Sequence, residues 1–163
     1  MEVALRPATA ADEPFLARVY AGTREEELAP LPWPAEAKAA FVAQQFAAQS
    51  AHYAQHYPGM SADVVLIDGE PAGRLLVDRW EREIRIVDIS LLPAARGRGA
   101  GELLLRRLVD EAATAGKRLS IHVERNNRAM SLYERLGFRS VGEEGVYLRM
   151  EWDPSRAQVK IAS

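Results

Sequence analysis

Leu91-Leu92-Pro93-Ala94-Ala95-Arg96-Gly97-Arg98-Gly99-Ala100-Gly101 joins the end of one apolar run to the start of another, and its reading decides the fold. Upstream, Ile84 to Leu91 reads as a strand that Pro93 stops. Downstream, Gly99 to Ala115 carries Leu104, Leu108 and Ala112 on one helical face and closes at Gly116. Between them, glycines at 97, 99 and 101 remove the side chains that would keep a ligand from the backbone. The helix that follows offers unpaired N–H groups and the positive end of its dipole. The stretch therefore reads as a cradle for a diphosphate.

Working outward, the periodicity alternates between strand and helix. Val3 to Arg6 is a short strand before Pro7, and Asp12 to Tyr20 a helix that Gly22 and Thr23 interrupt before Arg24 to Leu28. Pro30-Leu31-Pro32-Trp33-Pro34 is a rigid loop, and Ala35 to about Tyr57 a long amphipathic helix ended by Pro58-Gly59. Asp63 to Ile67, Pro71 to Arg79 and Ile84 to Leu91 form a meander of hairpins through the Asp68-Gly69 and Glu81-Arg82-Glu83 turns. Beyond the glycine loop and its helix come a buried strand, Leu119 to Val123, a helix from about Asn127 to Leu136, and final strands at Phe138 to Val141 and Val146 to Trp152. The pattern predicts an α/β (α+β) fold, a mostly antiparallel, partly parallel sheet flanked by helices. One domain over residues 1–153 and a polar tail over 154–163 are expected of a 163-residue chain.

Composition narrows the function classes. With 21 basic and 23 acidic residues the net charge is −2, so the basic excess that non-specific nucleic-acid binding needs is missing. Zero cysteines remove disulfides and thiolate metal sites and fit a reducing compartment, so a cytoplasmic protein is expected. No charged-then-apolar leader opens the sequence and no apolar run approaches the roughly 20 residues of a membrane span.

Spacing separates the phosphate-binding motifs. A P-loop needs Lys then Ser or Thr after its last glycine, and Gly101 is followed by Glu102-Leu103. A dinucleotide fingerprint would place its third glycine at Glu102, and too little chain follows Glu124 to complete a doubly wound sheet. The third reading joins Arg96-x-x-Gly99-x-Gly101 to Asn126-Asn127-Arg128-Ala129-Met130-Ser131-Leu132-Tyr133-Glu134-Arg135-Leu136-Gly137-Phe138. Together these resemble the GNAT superfamily of acyl-CoA-dependent N-acyltransferases, which carry an R/Q-x-x-G-x-G/A loop and then N-x-x-A-x-x-L-Y-x-x-x-G-F.

That resemblance implies an N-acetyltransferase that moves an acetyl group from acetyl-CoA, as co-substrate and without a metal, to a primary amine of an unidentified acceptor by direct attack. It implies that the backbone of Arg96, Gly97, Arg98, Gly99, Ala100 and Gly101 holds the CoA diphosphate, and that Leu91 and Leu92 meet the pantetheine arm through main chain. Asn126 matches the family asparagine on that arm, and Tyr133 the family tyrosine near the departing sulfur. Asn127 stands where the family often has proline. A phenol of pKa about 10 can return a proton to a thiolate whose acid lies near about 8.5, which makes Tyr133 the expected acid. A non-catalytic acyl-CoA-binding module is the alternative, and a dinucleotide-binding oxidoreductase a more remote one.

For the base, Asp88 leads, a carboxylate among apolar residues in Ile86-Val87-Asp88-Ile89. Glu83 reads as a solvated turn residue, and His122, in Ser120-Ile121-His122-Val123, as a hydrogen-bonded structural histidine whose ordinary pKa nevertheless suits proton removal. His52 and His56 share a helix face but lack the glutamate of a zinc-protease motif, so with Tyr53 and Tyr57 they read as an amphipathic helix end, while the resemblance implies that this region lines the acceptor side of the cleft. Glu25-Glu26-Glu27 reads as a solvated face that could attract a cationic amine. Acetyl-CoA and an amine-bearing acceptor are the expected partners, without nucleic acid or membrane. A homodimer through an edge strand or the tail is left open.

Overall fold

The computed structural model describes residues 1–156. Seven strands form one sheet in the order β1-β2-β3-β4-β5-β7-β6: β1 (Val3–Pro7), β2 (Ser61–Ile67), β3 (Glu70–Arg79), β4 (Glu83–Leu91), β5 (Arg118–Glu124), β6 (Arg139–Glu144) and β7 (Tyr147–Trp152). The helices are α1 (Glu13–Leu28), α2 (Ala35–His56), α3 (Ala100–Ala115) and α4 (Met130–Arg135). Pairing is antiparallel for β1 with β2, β5 with β7 and β6 with β7, and parallel for β4 with β5. The parallel pair follows from α3, since a helical crossover returns the chain in the same direction. The mixed, mostly antiparallel sheet expected from the sequence is the one observed.

The chain divides into two compact units, Met1–Leu76 with Ile89–Ala100, and Val77–Asp88 with the chain from Gly101 onward. In the first, Val19, Tyr20, Phe46, Val64, Val65 and Leu75 are buried. Tyr20 meets Phe46 at 5.6 Å between ring centroids. The buried Arg74 of β3 donates to Gln49 Oε1 at 2.6 Å and lies over the Phe46 and Tyr53 rings, which ties α2 to the sheet. In the second, Leu104, Leu105, Leu108 and Ala112 of α3 are buried, as are Ile84, Leu119, Ile121, Phe138 and Met150.

Several element boundaries differ from the sequence expectation. Gly22 does not break the first helix, and α1 is continuous to Leu28. A helical glycine costs about 1 kcal/mol relative to alanine, but here the missing side chain admits Pro93: a Cβ on Gly22 would meet Pro93 Cδ at 2.8 Å. The last helix begins at Met130 rather than near Asn127. Asn127 Oδ1 accepts from the Ala129 N–H at 2.7 Å, an Asx turn that occupies the residues before the helix. β2 begins two residues earlier than expected, and β6 extends three further, through a register shift between Ser140 and Gly142. Only residues 154–156 of the expected tail fall within the described residues.

Candidate active site

The loop after β4 opens with a 3-10 turn at Pro93–Ala95 and passes through Gly97 and Gly99, with φ of 74° and 87°, before α3 begins. Left-handed backbone of this kind favours glycine. A Cβ at either position would meet no heavy atom within 4 Å, so the space beside both is open. Arg98 stands exposed between them. The loop thus presents bare main chain to whatever lies over it, which suits an anionic diphosphate.

Arg96 faces the other way. Its Nε donates to the Leu91 carbonyl and its Nη2 to the Gly22 carbonyl of α1, each at 3.2 Å. The Leu92 N–H donates to Ala72 O on β3 at 2.8 Å. One main-chain group at each of the two leucines expected to meet the pantetheine arm therefore already has a protein partner. Beside them β3 comes unusually close: a Cβ on Gly73 would lie 2.2 Å from Ser90 O and 3.0 Å from Leu91 Cα.

In the second unit, the parallel ladder runs from Glu83↔Arg118 to Ile86↔Ile121 and ends there, so Val87 and Asp88 lie beyond it. Tyr133 of α4 is only 4% exposed and packs edge-on against Phe138 at 5.7 Å. Burial, and then the nearby Asp88 carboxylate, push its phenol up to about 12. The two expected catalytic residues are thereby electrostatic neighbours. Asn126 is exposed, while Asn127 makes the turn.

Glu83 is not the solvated turn residue that the sequence suggests. It is 6% exposed. Its carboxylate accepts from Ser120 Oγ at 2.7 Å, Arg149 Nη2 at 3.1 Å and Arg85 Nη2 at 3.3 Å, with Arg118 Nη2 at 3.8 Å. Three guanidinium groups and a hydroxyl commit it to holding β4, β5 and β7 together. Arg85 Nη1 lies 3.3 Å from His122 Nδ1, and because a guanidinium only donates, Nδ1 must accept and the ring proton must sit on Nε2. Burial, then the positive charge of Arg85, hold the His122 pKa below its usual value. That shift favours the neutral imidazole, whose lone pair faces Arg85.

His52 and His56 stack at 4.1 Å between centroids, and His56 Nδ1 lies 2.9 Å from the His52 carbonyl, a helix-end arrangement. Among the described residues no group of three or more His, Cys, Asp or Glu side chains is placed to hold a metal ion, and no helix is long and apolar enough to cross a membrane. A cavity of about 520 Å³ opens between α1 and α2, lined by Ala21, Val42 and Phe46 with Glu25 and Lys38. Of the Glu25-Glu26-Glu27 run, Glu25 alone lines it.

Residues 21–138 match the family model described as the acetyltransferase (GNAT) family. The chain is 31% identical over 120 residues to the N-alpha-acetyltransferase RimI of Mycobacterium tuberculosis, covering 73% of this chain and 69% of that protein. It shares its fold with the PaiA N-acetyltransferase of Thermoplasma acidophilum in complex with coenzyme A, at TM-score 0.70 and 16% identity over 94% of this chain and 99% of that one. The ribosomal-protein-S18-alanine N-acetyltransferase of Escherichia coli is similar at TM-score 0.60 and 20% identity, over 93% and 94%.

Proposed function

The chain belongs to the acetyltransferase (GNAT) family, and from that membership we propose that it transfers an acetyl group from acetyl-CoA to a primary amine by direct attack. The observation that carries the reading is the loop of left-handed glycines with open space beside it, joined to the start of α3. On this reading the main chain from Arg96 to Gly101 holds the diphosphate, Leu91 and Leu92 the pantetheine arm, and Asn126 a pantetheine amide.

The chemistry needs an uncharged amine, a polarised carbonyl and a stabilised thiolate. The amine nitrogen attacks the thioester carbon, the carbon–sulfur bond breaks, and the amine proton passes to a base. Glu83 is held by three guanidinium groups and the His122 lone pair by Arg85, which argues against both, and the base we propose is Asp88, the carboxylate that acts on Tyr133. Tyr133 takes a role different from the one its ordinary pKa suggests. A phenol pushed up to about 12 holds its proton more tightly than a free one and gives it up to a thiolate less readily. Its hydroxyl serves instead as a hydrogen-bond donor to the sulfur as negative charge develops there, and the thiolate takes its proton from solvent.

The acceptor class to test first is a peptide α-amine. The Mycobacterium tuberculosis relative is named for that specificity, and the chemistry agrees. An α-amino group of pKa about 7.8 is about one-seventh neutral at pH 7, whereas a lysine ammonium of pKa about 10.4 is neutral about once in 2,500. The test measures thiol release from acetyl-CoA with α-amine peptides, lysine peptides, polyamines and small amines. Release with α-amine peptides is expected; tight CoA binding with no release from any amine would leave an acyl-CoA-binding module in place of an enzyme.

A further inference from the structure

The arginine of the glycine loop turns its guanidinium onto the protein's own main chain. Arg96 Nε and Nη2 donate to two main-chain carbonyls that lie 69 residues apart in sequence, Leu91 O at the end of β4 and Gly22 O in α1. Both contacts aim the guanidinium fork back into the fold, where a lysine ammonium could not span the two acceptors with the same planar geometry.

Two glycines prepare the same spot. Gly22 admits the Pro93 ring, whose Cδ would stand 2.8 Å from a Cβ there, and Gly73 admits the Ser90 carbonyl, 2.2 Å from a Cβ there. The Leu92 N–H closes the arrangement by donating to Ala72 O, the residue before Gly73. Segment Ser90 to Arg96 is thereby pressed between β3 and α1 and pinned by one side chain. An alanine at either glycine would push the main chain of this segment outward.

We infer that Arg96 is a positioning residue: its guanidinium bridges Leu91 O and Gly22 O, and with Gly22 and Gly73 it sets the course of the β4 end on which the pantetheine arm is read. The inference rests on the acetyltransferase reading above. It separates two roles that the R-x-x-G-x-G spacing leaves merged. The glycine backbone meets the diphosphate, while the arginine fixes where the thioester end of the donor lies. Misplacing that end by a fraction of an ångström to one ångström costs about tenfold to a hundredfold in rate.

The test compares two donors on Arg96→Lys and Arg96→Gln: acetyl-CoA, and S-acetylpantetheine, which has the same thioester arm and no diphosphate. A positioning role predicts that kcat/KM falls about tenfold or more on both donors, by the same factor within about threefold, and that the charge retained by lysine gives no protection. A phosphate contact predicts a loss confined to acetyl-CoA, smaller for lysine than for glutamine, and that result overturns the inference, as does full activity of both variants. Should either variant fail to fold, Gly22→Ala carries the same expectation, because it displaces Pro93 and the segment with it while leaving the arginine side chain and its charge unaltered. A wild type that turns over neither donor overturns the functional reading itself, a result distinct from any donor-selective loss.

Discussion

Tyr133 and Glu83 show how burial rewrites a side chain's chemistry. The phenol keeps its proton because desolvation and the Asp88 carboxylate both oppose the phenolate. Tyr133→Phe should therefore lower kcat by about tenfold to a thousandfold, the cost of removing one donor to a developing anion, with the KM for acetyl-CoA little changed. The edge-on packing against Phe138 survives that substitution, so a thermal melt close to wild type checks that the loss is chemical. Unchanged kcat would place the sulfur's hydrogen bond elsewhere. Glu83→Gln should do the opposite. It leaves the buried Arg85 facing a neutral amide, while the partly exposed Arg118 and Arg149 keep Glu151, and losing a hydrogen bond to a charged group costs about 1.5–3 kcal/mol. Urea unfolding should show that deficit, while kcat of the folded fraction stays near wild type. The motif puts Tyr133 forward in the sequence, whereas nothing there shows that Glu83 is buried. Alternating charged residues on Glu83, Arg85 and Arg118 look solvated until β7 supplies Arg149 and Glu151 to the same face.

Among the elements, those with strong local chemistry were legible and those shaped by contacts were not. The Asp68-Gly69 hairpin, α3 and the strand entering the glycine loop stand where their residues put them. The continuity of α1 was hidden, because its glycine is justified by Pro93, 71 residues away. The start of α4 was hidden by an Asx turn that reads as helix. The start of α1 offers a direct test. Asp12 accepts from Arg6 Nη1 and Nη2 and from the Thr9 N–H, fastening β1 to the helix entry. The Arg6 guanidinium first, then the Thr9 amide, hold the Asp12 carboxyl well below the usual carboxylate range. A depressed folded-state pKa contributes stability above the unfolded value of about 3.9 and loses it as pH falls through the folded value. Asp12→Asn should therefore lower Tm at pH 7, and the gap to wild type should narrow steadily below about pH 4. A gap independent of pH would mean that the carboxylate charge contributes nothing. At the sheet's edges, β1 is five residues ending in Pro7, and β6 carries a register shift and the adjacent Glu143 and Glu144. Both features discourage strand addition by a second chain.

For the whole molecule, the glycine loop, α3 and the parallel return of β5 form one argument. A strand, a bare-backbone turn and a helical crossover bring β5 back parallel to β4, and their register ends at Ile86↔Ile121 although both strands continue. The strand, the turn and the helix were readable in the sequence, because glycine spacing and helix periodicity are local signals; where the register ends was not. The acceptor was not, because it is recognised by surfaces assembled from distant segments, and loop backbone carries no information about it. Donor binding is measurable on the 163-residue chain without knowing the acceptor. A ligand that binds only the folded state stabilises it by about 2.7 kcal/mol at a hundredfold excess over Kd. For a chain of this length each kcal/mol moves Tm by about 2–4 °C. CoA and acetyl-CoA should therefore raise Tm by about 5–11 °C at that excess, rising with concentration, while NADH should leave it unmoved. Arg96→Lys should keep most of the CoA shift, since on the proposed reading the glycine backbone, which the substitution leaves unchanged, holds the diphosphate, even where turnover has fallen. A melt that answers to NADH and not to CoA would return the loop to the dinucleotide reading that its glycine spacing argues against.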